Sequence, residues 1–190
     1  MGMAIVVQSR DTLAQLARLI MRRYVIEINE TLTLFSYRDG KMVFELAEEV
    51  DHTLRFSLKL GIPYSIHAGV SGVVILANIP EEEAETYYHN FKEKNLCDVS
   101  SLRQRVKQCK KNGYATASGT RVRGVIGFSA PIYGSDKAFI GGITLALPEA
   151  RYHVEKHEIL CATVLNCAKE ISEYLNTDLY KAHCTNKIPS

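Results

Sequence analysis

Two apolar runs joined by a turn, GVIGFSAPIYGSDKAFIGGITLALP at residues 124–148, constrain the fold of this chain more than any other stretch. Successive side chains of a strand point to opposite faces, so each run divides into two rows. One row is bulky and apolar, and it requires helices against it, most simply the two terminal ones. Its members are Ile126, Phe128, Ala130 and Ile132 in the first run, and Phe139, Ile143, Leu145 and Leu147 in the second.

The opposite face of this predicted sheet carries very little side-chain volume. Glycine weakens a strand, and it often marks a place where a ligand or another backbone approaches closely. Two interpretations therefore stay open: a helix packed at short range, for which residues 70–77 are a candidate, or a shallow ligand cavity with a few hydroxyls. The small residues are Gly127, Ser129, Gly142, Thr144 and Ala146, with Ala115, Ala117 and Gly119 from the preceding stretch.

Hydrophobic periodicity and turn residues predict the other elements. A helix is expected from Asp11, as its N-cap, to Glu27, and a hairpin should turn at Asp39-Gly40. The remaining predictions are a short strand near 52–58, helices at 70–77, 81–91 and 101–112 (the last capped by Ser100 or Ser101 and stopped by Gly113), strands at 114–118, 125–133 and 139–147, and a long helix over 153–175.

The domain organisation predicted from these elements is simple. The 190 residues suffice for one well-buried domain, which we expect over 11–178. Residues 1–10 are expected to be a disordered start or a tag or linker remnant, and residues 179–190 a C-terminal tail.

Charge and cysteine content exclude several classes of protein. A net charge of +2 gives no electrostatic footprint of a dedicated nucleic-acid binder. Five irregularly spaced cysteines indicate reduced thiols in a cytoplasmic protein rather than a disulfide framework. Charges at Arg10 and Asp11 come too early for a secretory signal or a membrane span.

No motif in the chain specifies a reaction, a metal or a cofactor. GVSGV at 69–73 approaches a nucleophile elbow, but Val73 stands where that motif requires a second glycine. HVEKH at 153–157 places two histidines one turn apart without a third ligand. An enzyme with Ser71 or a cysteine as nucleophile remains the alternative, and a stand-alone binding module is a third hypothesis.

Two longer stretches resemble a known family. LGIPYSIHAGVSGVVILANIPEEE, and RVKQCKKNGYATASG followed by RGVIGFSAPIYGSDKAFIGGITLALPEAR, resemble the effector-binding domains of the IclR (isocitrate lyase regulator) family in order and spacing. The resemblance implies an α+β, GAF-like fold: a curved antiparallel sheet of about six strands with helices on both faces. It also implies a non-enzymatic metabolite sensor that forms a homo-dimer or tetramer and contacts DNA only through an N-terminal domain absent from this sequence.

The resemblance also implies a ligand site. The family's contacting positions fall on Val70, Ser71, Ala117, Gly127, Thr144 and Ala146, and alternation adds Ser129. Relatives that bind small oxo-acids have Asp, Cys, Ser and Ser at the four strand positions where this chain has Ala, Gly, Thr and Ala. We therefore expect an organic acid that is larger or more apolar than pyruvate or glyoxylate, with Arg121 or Arg123 meeting its charge.

Overall fold

The computed structural model describes residues 2–177, with side chains from residue 14 onward. Six antiparallel strands form one curled sheet in the order β3-β2-β1-β6-β5-β4, and helices cover both of its faces, as predicted. In chain order the elements are α1 (Gly2–Ile28), β1 (Leu32–Arg38), β2 (Lys41–Glu48), β3 (Pro63–Tyr64), α2 (Val70–Asn78), α3 (Glu81–Glu93), α4 (Val99–Asn112), β4 (Ala115–Ser118), β5 (Val125–Tyr133), β6 (Phe139–Pro148) and α5 (His157–Leu175).

The bulky face of β5 and β6 packs against the two terminal helices, which confirms the prediction from alternation. Phe128, Ile143 and Leu145 are fully buried there, together with Val164 and Ile171 of α5. Each fully buried side chain of this size contributes about 1.5–3 kcal/mol to folding. Helices α2, α3 and α4 cover the other face and form a second core with β1 and β2.

Phe139 does not lie on the bulky face, where strict alternation places it. Its ring packs against Tyr37 and Tyr133 in the second core, and Ile140 packs against the first. The pairing of β5 with β6 shifts between Ile132 and Tyr133, and this bulge interrupts the alternation of side chains.

The protein's own atoms fill the space at three glycines of β5 and β6. A Cβ on Gly127 would lie 2.9 Å from Cγ2 of Val70, so this glycine lets α2 approach the sheet. A Cβ on Gly142 would lie 2.7 Å from Cζ of Phe35, and one on Gly141 only 2.0 Å from the Phe35 carbonyl oxygen. Close packing of the chain on itself therefore accounts for these glycines.

Two element boundaries differ from the predictions. Residues 52–58 form no strand, because Glu49 accepts hydrogen bonds from Arg55 and Ser57 and holds this segment as a loop. The N-cap of α4 is Asp98 rather than either serine, since its carboxylate accepts the backbone N–H groups of the two residues predicted as caps. Gly113 ends α4 in the left-handed conformation, as predicted.

The N-terminal helix is longer than expected. It begins at Gly2, so Asp11 lies inside it rather than at its N-cap, and residues 2–10 are helical instead of a disordered start. A helix that has nucleated extends at little cost, because each further residue adds a hydrogen bond. The predicted tail at 179–190 lies outside the described residues. Within residues 2–177 no helix is both long and apolar enough to cross a membrane.

Candidate ligand-binding site

A small cavity lies between the N-terminus of α2, the small-residue face of the sheet and the loop at residues 49–62. The centre of a water molecule can occupy about 40 Å³ of it, so the cavity admits water but is small for an organic ligand. Its walls are formed by Phe44, Phe56, Leu58, Gly69, Val70, Ser71, Ala117, Thr120, Arg121, Val122, Val125, Gly127, Thr144 and Ala146.

The structure brings most of the predicted site residues to this cavity. Of the seven predicted ligand-binding residues, all but Ser129 line it. Ser129 is fully buried behind Thr144. Of the two predicted charge partners, Arg121 lines the cavity, whereas Arg123 is exposed and does not.

Three hydroxyl groups form a continuous chain at the cavity. Ser71 Oγ lies 2.9 Å from Thr144 Oγ1, and Thr144 Oγ1 lies 2.9 Å from Ser129 Oγ. Ser129 Oγ in turn donates to the backbone carbonyl of Ile143 at 2.8 Å. The chain joins the first turn of α2 to β6 and β5, so it fixes the orientation of every hydroxyl that it contains.

Arg121 brings a positive charge to the cavity wall. Its Nη2 atom donates to the carbonyl oxygens of Ser65 and Ala68, at 2.7 and 2.6 Å, and its guanidinium carbon lies 5.5 Å from the centre of the Tyr64 ring. No acidic side chain of the described residues forms an ion pair with it. Burial lowers the pKa of Arg121 from its ordinary value, but a guanidinium keeps its charge at neutral pH.

The N-terminus of α2 also favours binding of an anion. Gly69, the N-cap residue, has a φ of 81° and offers no side chain to accept the first N–H groups of the helix. Unsatisfied N–H groups at a helix N-terminus carry partial positive charge and favour a negative group. Gly69, Val70 and Ser71 all line the cavity, next to Arg121.

The apolar wall of the cavity was not predicted from the sequence. Phe56 and Leu58 come from the loop that pattern analysis assigned to a strand, and Phe44 comes from β2, far from the predicted site along the chain. Nothing in the local pattern of these residues distinguishes them from ordinary core residues. The cavity is therefore polar at the end of α2 and aromatic and aliphatic opposite.

The catalytic alternatives find no support in this geometry. The hydrogen-bond partner of the Ser71 hydroxyl is Thr144, and no histidine or carboxylate in the part of the chain that the structure describes hydrogen-bonds to it. In the described part of the chain no cluster of three or more His, Cys, Asp or Glu side chains could hold a metal ion. Burial raises the pKa of both Cys109 and Cys167 to about 12, so both are neutral thiols at physiological pH.

Thiol reactivity should follow this burial. In a Cys184→Ser background, we expect a thiol reagent at pH 8 to modify Cys97 first, because Cys97 is the one partly exposed cysteine among the four described. Cys109 and Cys167 should react only after denaturation, since burial keeps them protonated and inaccessible. Peptide mapping after timed labelling measures the order. Fast labelling of either buried thiol in the folded protein would contradict the prediction.

Comparison with known proteins settles the family. The family model described as "Bacterial transcriptional regulator IclR C-terminal" matches residues 5–173. The chain belongs to the IclR family. Members of this family are transcriptional regulators and not enzymes, so the hydrolase and thiol-enzyme alternatives are wrong.

Sequence relatives and solved structures agree with the IclR assignment. The chain is 23% identical to the regulator KipR of Bacillus subtilis over 171 residues, which cover 87% of this chain and 68% of KipR. It is 24% identical to BhcR of Paracoccus denitrificans, covering 86% of this chain and 60% of that protein. Thermotoga maritima IclR shares the fold, with a TM-score of 0.72 and 20% identity over 93% of this chain and 75% of that one. The chain thus spans only part of the length of these regulators.

Proposed function

We propose that this IclR-family domain senses an organic acid that binds in the cavity at the N-terminus of α2. The observation that carries the proposal is the half-buried Arg121, which has no carboxylate partner among residues 14–177 and lies beside an uncapped helix N-terminus. Leaving a charge in a partly desolvated site without a counter-charge is costly, so the site favours an anionic ligand. Seven of the nine residues predicted as ligand contacts or charge partners line this cavity or contribute to its charge.

The ligand has an apolar body on this proposal. Phe44, Phe56 and Leu58 form the wall opposite the polar end, and this wall suits an aromatic or aliphatic group. The centre of a water molecule can occupy only about 40 Å³ of the cavity, so a larger acid must displace part of its lining. The loop at 49–62 is the part that can yield, because it is irregular and mostly exposed.

Displacement of this loop supplies a signal to the rest of the domain. Arg151, in the turn after β6, donates to the carbonyl oxygen of Leu54 in the loop and pairs with Glu30, which lies just beyond the end of α1. A ligand that moves the loop thus acts on the junction between α1 and β1. The ligand must bind one arrangement of this junction better than the other to shift the equilibrium.

The proposal also covers the oligomeric state of the domain, its location in the cell and its link to DNA. We expect a homo-dimer or tetramer in the cytoplasm, with DNA bound through an N-terminal domain of the kind that regulators of this family carry. Leu19 and Ile26 support an assembly surface, because they lie two turns apart on α1 and are 69% and 74% exposed.

A charge substitution tests the proposal. Arg121→Gln should weaken binding of acids by about 10–100-fold, since a hydrogen bond to a charged group contributes about 1.5–3 kcal/mol. Calorimetric titration with benzoate, phenylacetate and octanoate, and with the corresponding neutral amides, measures the effect. The amides should bind the native protein as weakly as the acids bind Arg121→Gln.

Arg123→Gln is the matched control, because Arg123 is two residues away, carries the same charge and does not line the cavity. It should bind the acids like the native protein. Equal losses of affinity in the two variants would show that the overall positive charge of the surface, and not Arg121 in the cavity, attracts the acids. That result would overturn the assignment of Arg121. Absence of binding by every acid would overturn the proposed function itself.

A further inference from the structure

The three hydroxyls at the cavity have a defined hydrogen-bond direction. A hydroxyl carries a single hydrogen. The hydrogen of Ser129 is committed to the carbonyl oxygen of Ile143, because a carbonyl oxygen only accepts. Thr144 must therefore donate its hydrogen to Ser129 Oγ, and Ser71 must donate its hydrogen to Thr144 Oγ1. Each hydroxyl thus donates its hydrogen away from the cavity, toward the interior of the protein.

Ser71 consequently presents only lone pairs to the cavity. Its hydrogen points at Thr144, so a ligand atom that contacts Ser71 Oγ has to be a hydrogen-bond donor. A carbonyl or carboxylate oxygen in the same place would face lone pairs and lose its hydration without a replacement. The hydroxyl chain thus discriminates between ligand groups of nearly the same size.

The place of Ser71 in the helix determines how far this donor lies from the acid group. Ser71 is the second residue of α2, within the same first turn whose free N–H groups favour an anion. The donor must therefore be close to the carboxylate on the ligand. A hydroxyl meets this requirement, whereas an ammonium group would bring a second cation beside Arg121.

From this geometry we infer that the effector is a hydroxy acid, with its hydroxyl on a carbon near the carboxylate, and that the domain rejects the corresponding oxo acid. This inference rests on the proposed function and adds to it the chemical class of the ligand. Ser71 is the residue that contacts the ligand hydroxyl. Ser129 is a positioning residue that acts through Thr144, since it is fully buried and does not line the cavity.

Matched pairs of acids test the inference directly. The pairs are lactate and pyruvate, mandelate and phenylglyoxylate, and 2-hydroxyoctanoate and 2-oxooctanoate, each titrated calorimetrically into the whole chain. The two members of a pair have nearly the same skeleton and charge. The hydroxy acid of the pair that fits should bind about tenfold more tightly than its oxo acid, the ratio expected for one hydrogen bond that is made or lost.

Three variants test whether the direction of hydrogen-bond donation among the three hydroxyls, and not only their presence, causes the preference. In Ser129→Ala the hydrogen of Thr144 loses its acceptor and turns to Ser71 Oγ, which frees the hydrogen of Ser71 to donate to the ligand. The preference for the hydroxy acid should then fall to about one or reverse. Ser71→Ala should also abolish the preference, and it provides the test if Ser129→Ala does not fold. Thr144→Ser keeps all three hydroxyls and should keep the tenfold ratio.

The outcomes distinguish this inference from the proposed function. Equal binding within every pair, or tighter binding of the oxo acid, overturns the hydroxy-acid assignment while an acid-sensing site stands. A ratio that persists in Ser129→Ala and Ser71→Ala also overturns it, because the preference would then come from another contact. Failure of every acid to bind overturns both.

Discussion

Gly141→Ala is expected to destabilise the protein severely, although it adds only one methyl group. A Cβ on Gly141 would lie 2.0 Å from the carbonyl oxygen of Phe35 and 3.0 Å from Cα of Ser36. Both are backbone atoms of β1, and β6 lies between β1 and β5 in the sheet, so neither side can move away easily. We expect a loss of more than about 4 kcal/mol, against a total stability of about 5–15 kcal/mol. Urea unfolding followed by circular dichroism measures it.

Gly134→Ala is the matched control for this substitution. Gly134 lies in the turn between β5 and β6, with a φ of −84°, and a Cβ there would meet the side chain of Ile140 at 3.3 Å. A flexible side chain can move by a few tenths of an ångström, so the change in stability should stay within about 1 kcal/mol. Similar stabilities for the two variants would show that the sheet adjusts at Gly141, against the prediction.

The glycines of β5 and β6 show which parts of the fold can be predicted from the sequence and which cannot. Alternation along β5 and β6 assigned the buried face correctly except at Phe139, beyond the bulge, because period-two patterning depends only on neighbours in the chain. The partners at these glycines include residues far away in the chain: Phe35 of β1 for Gly141 and, with the Ala130 carbonyl oxygen, for Gly142, and Val70 of α2 for Gly127. Such pairings are properties of the folded sheet, and local patterns do not encode them.

The candidate site shows the same division. The family resemblance selected Val70 and Ser71 at the end of α2, and strand alternation selected the face that carries Gly127, Thr144 and Ala146; all five line the cavity. The choice between Arg121 and Arg123 was not predicted, since both lie in a turn where no period fixes which side chain points inward. The aromatic wall was also missed, because Phe56 belongs to a loop whose path is set by hydrogen bonds to Glu49 and by the tether from Arg151.

Arg151→Ala should produce the second large effect, because it leaves a buried carboxylate without its partner. Arg151 forms two hydrogen bonds with Glu30, at 2.7 and 2.6 Å, and the Glu30 side chain is only 9% exposed. Removal of one member of a buried ion pair costs about 3–5 kcal/mol. We expect the lower part of this range, since Arg151 itself is 28% exposed. The substitution also removes the tether to Leu54, so the loop over the cavity should become more sensitive to proteases.

Two comparisons identify the unpaired charge as the cause of this loss. Arg18→Ala removes an arginine that is 59% exposed and lies 3.5 Å from Glu48, and it should cost less than about 1 kcal/mol. The double variant Glu30→Gln with Arg151→Met removes both charges and should be more stable than Arg151→Ala alone, because no carboxylate is left buried and unpaired. A double variant that is as unstable as the single one would assign the loss to packing and to the Leu54 tether instead. Denaturant midpoints of the four proteins, measured at the same pH, distinguish these outcomes.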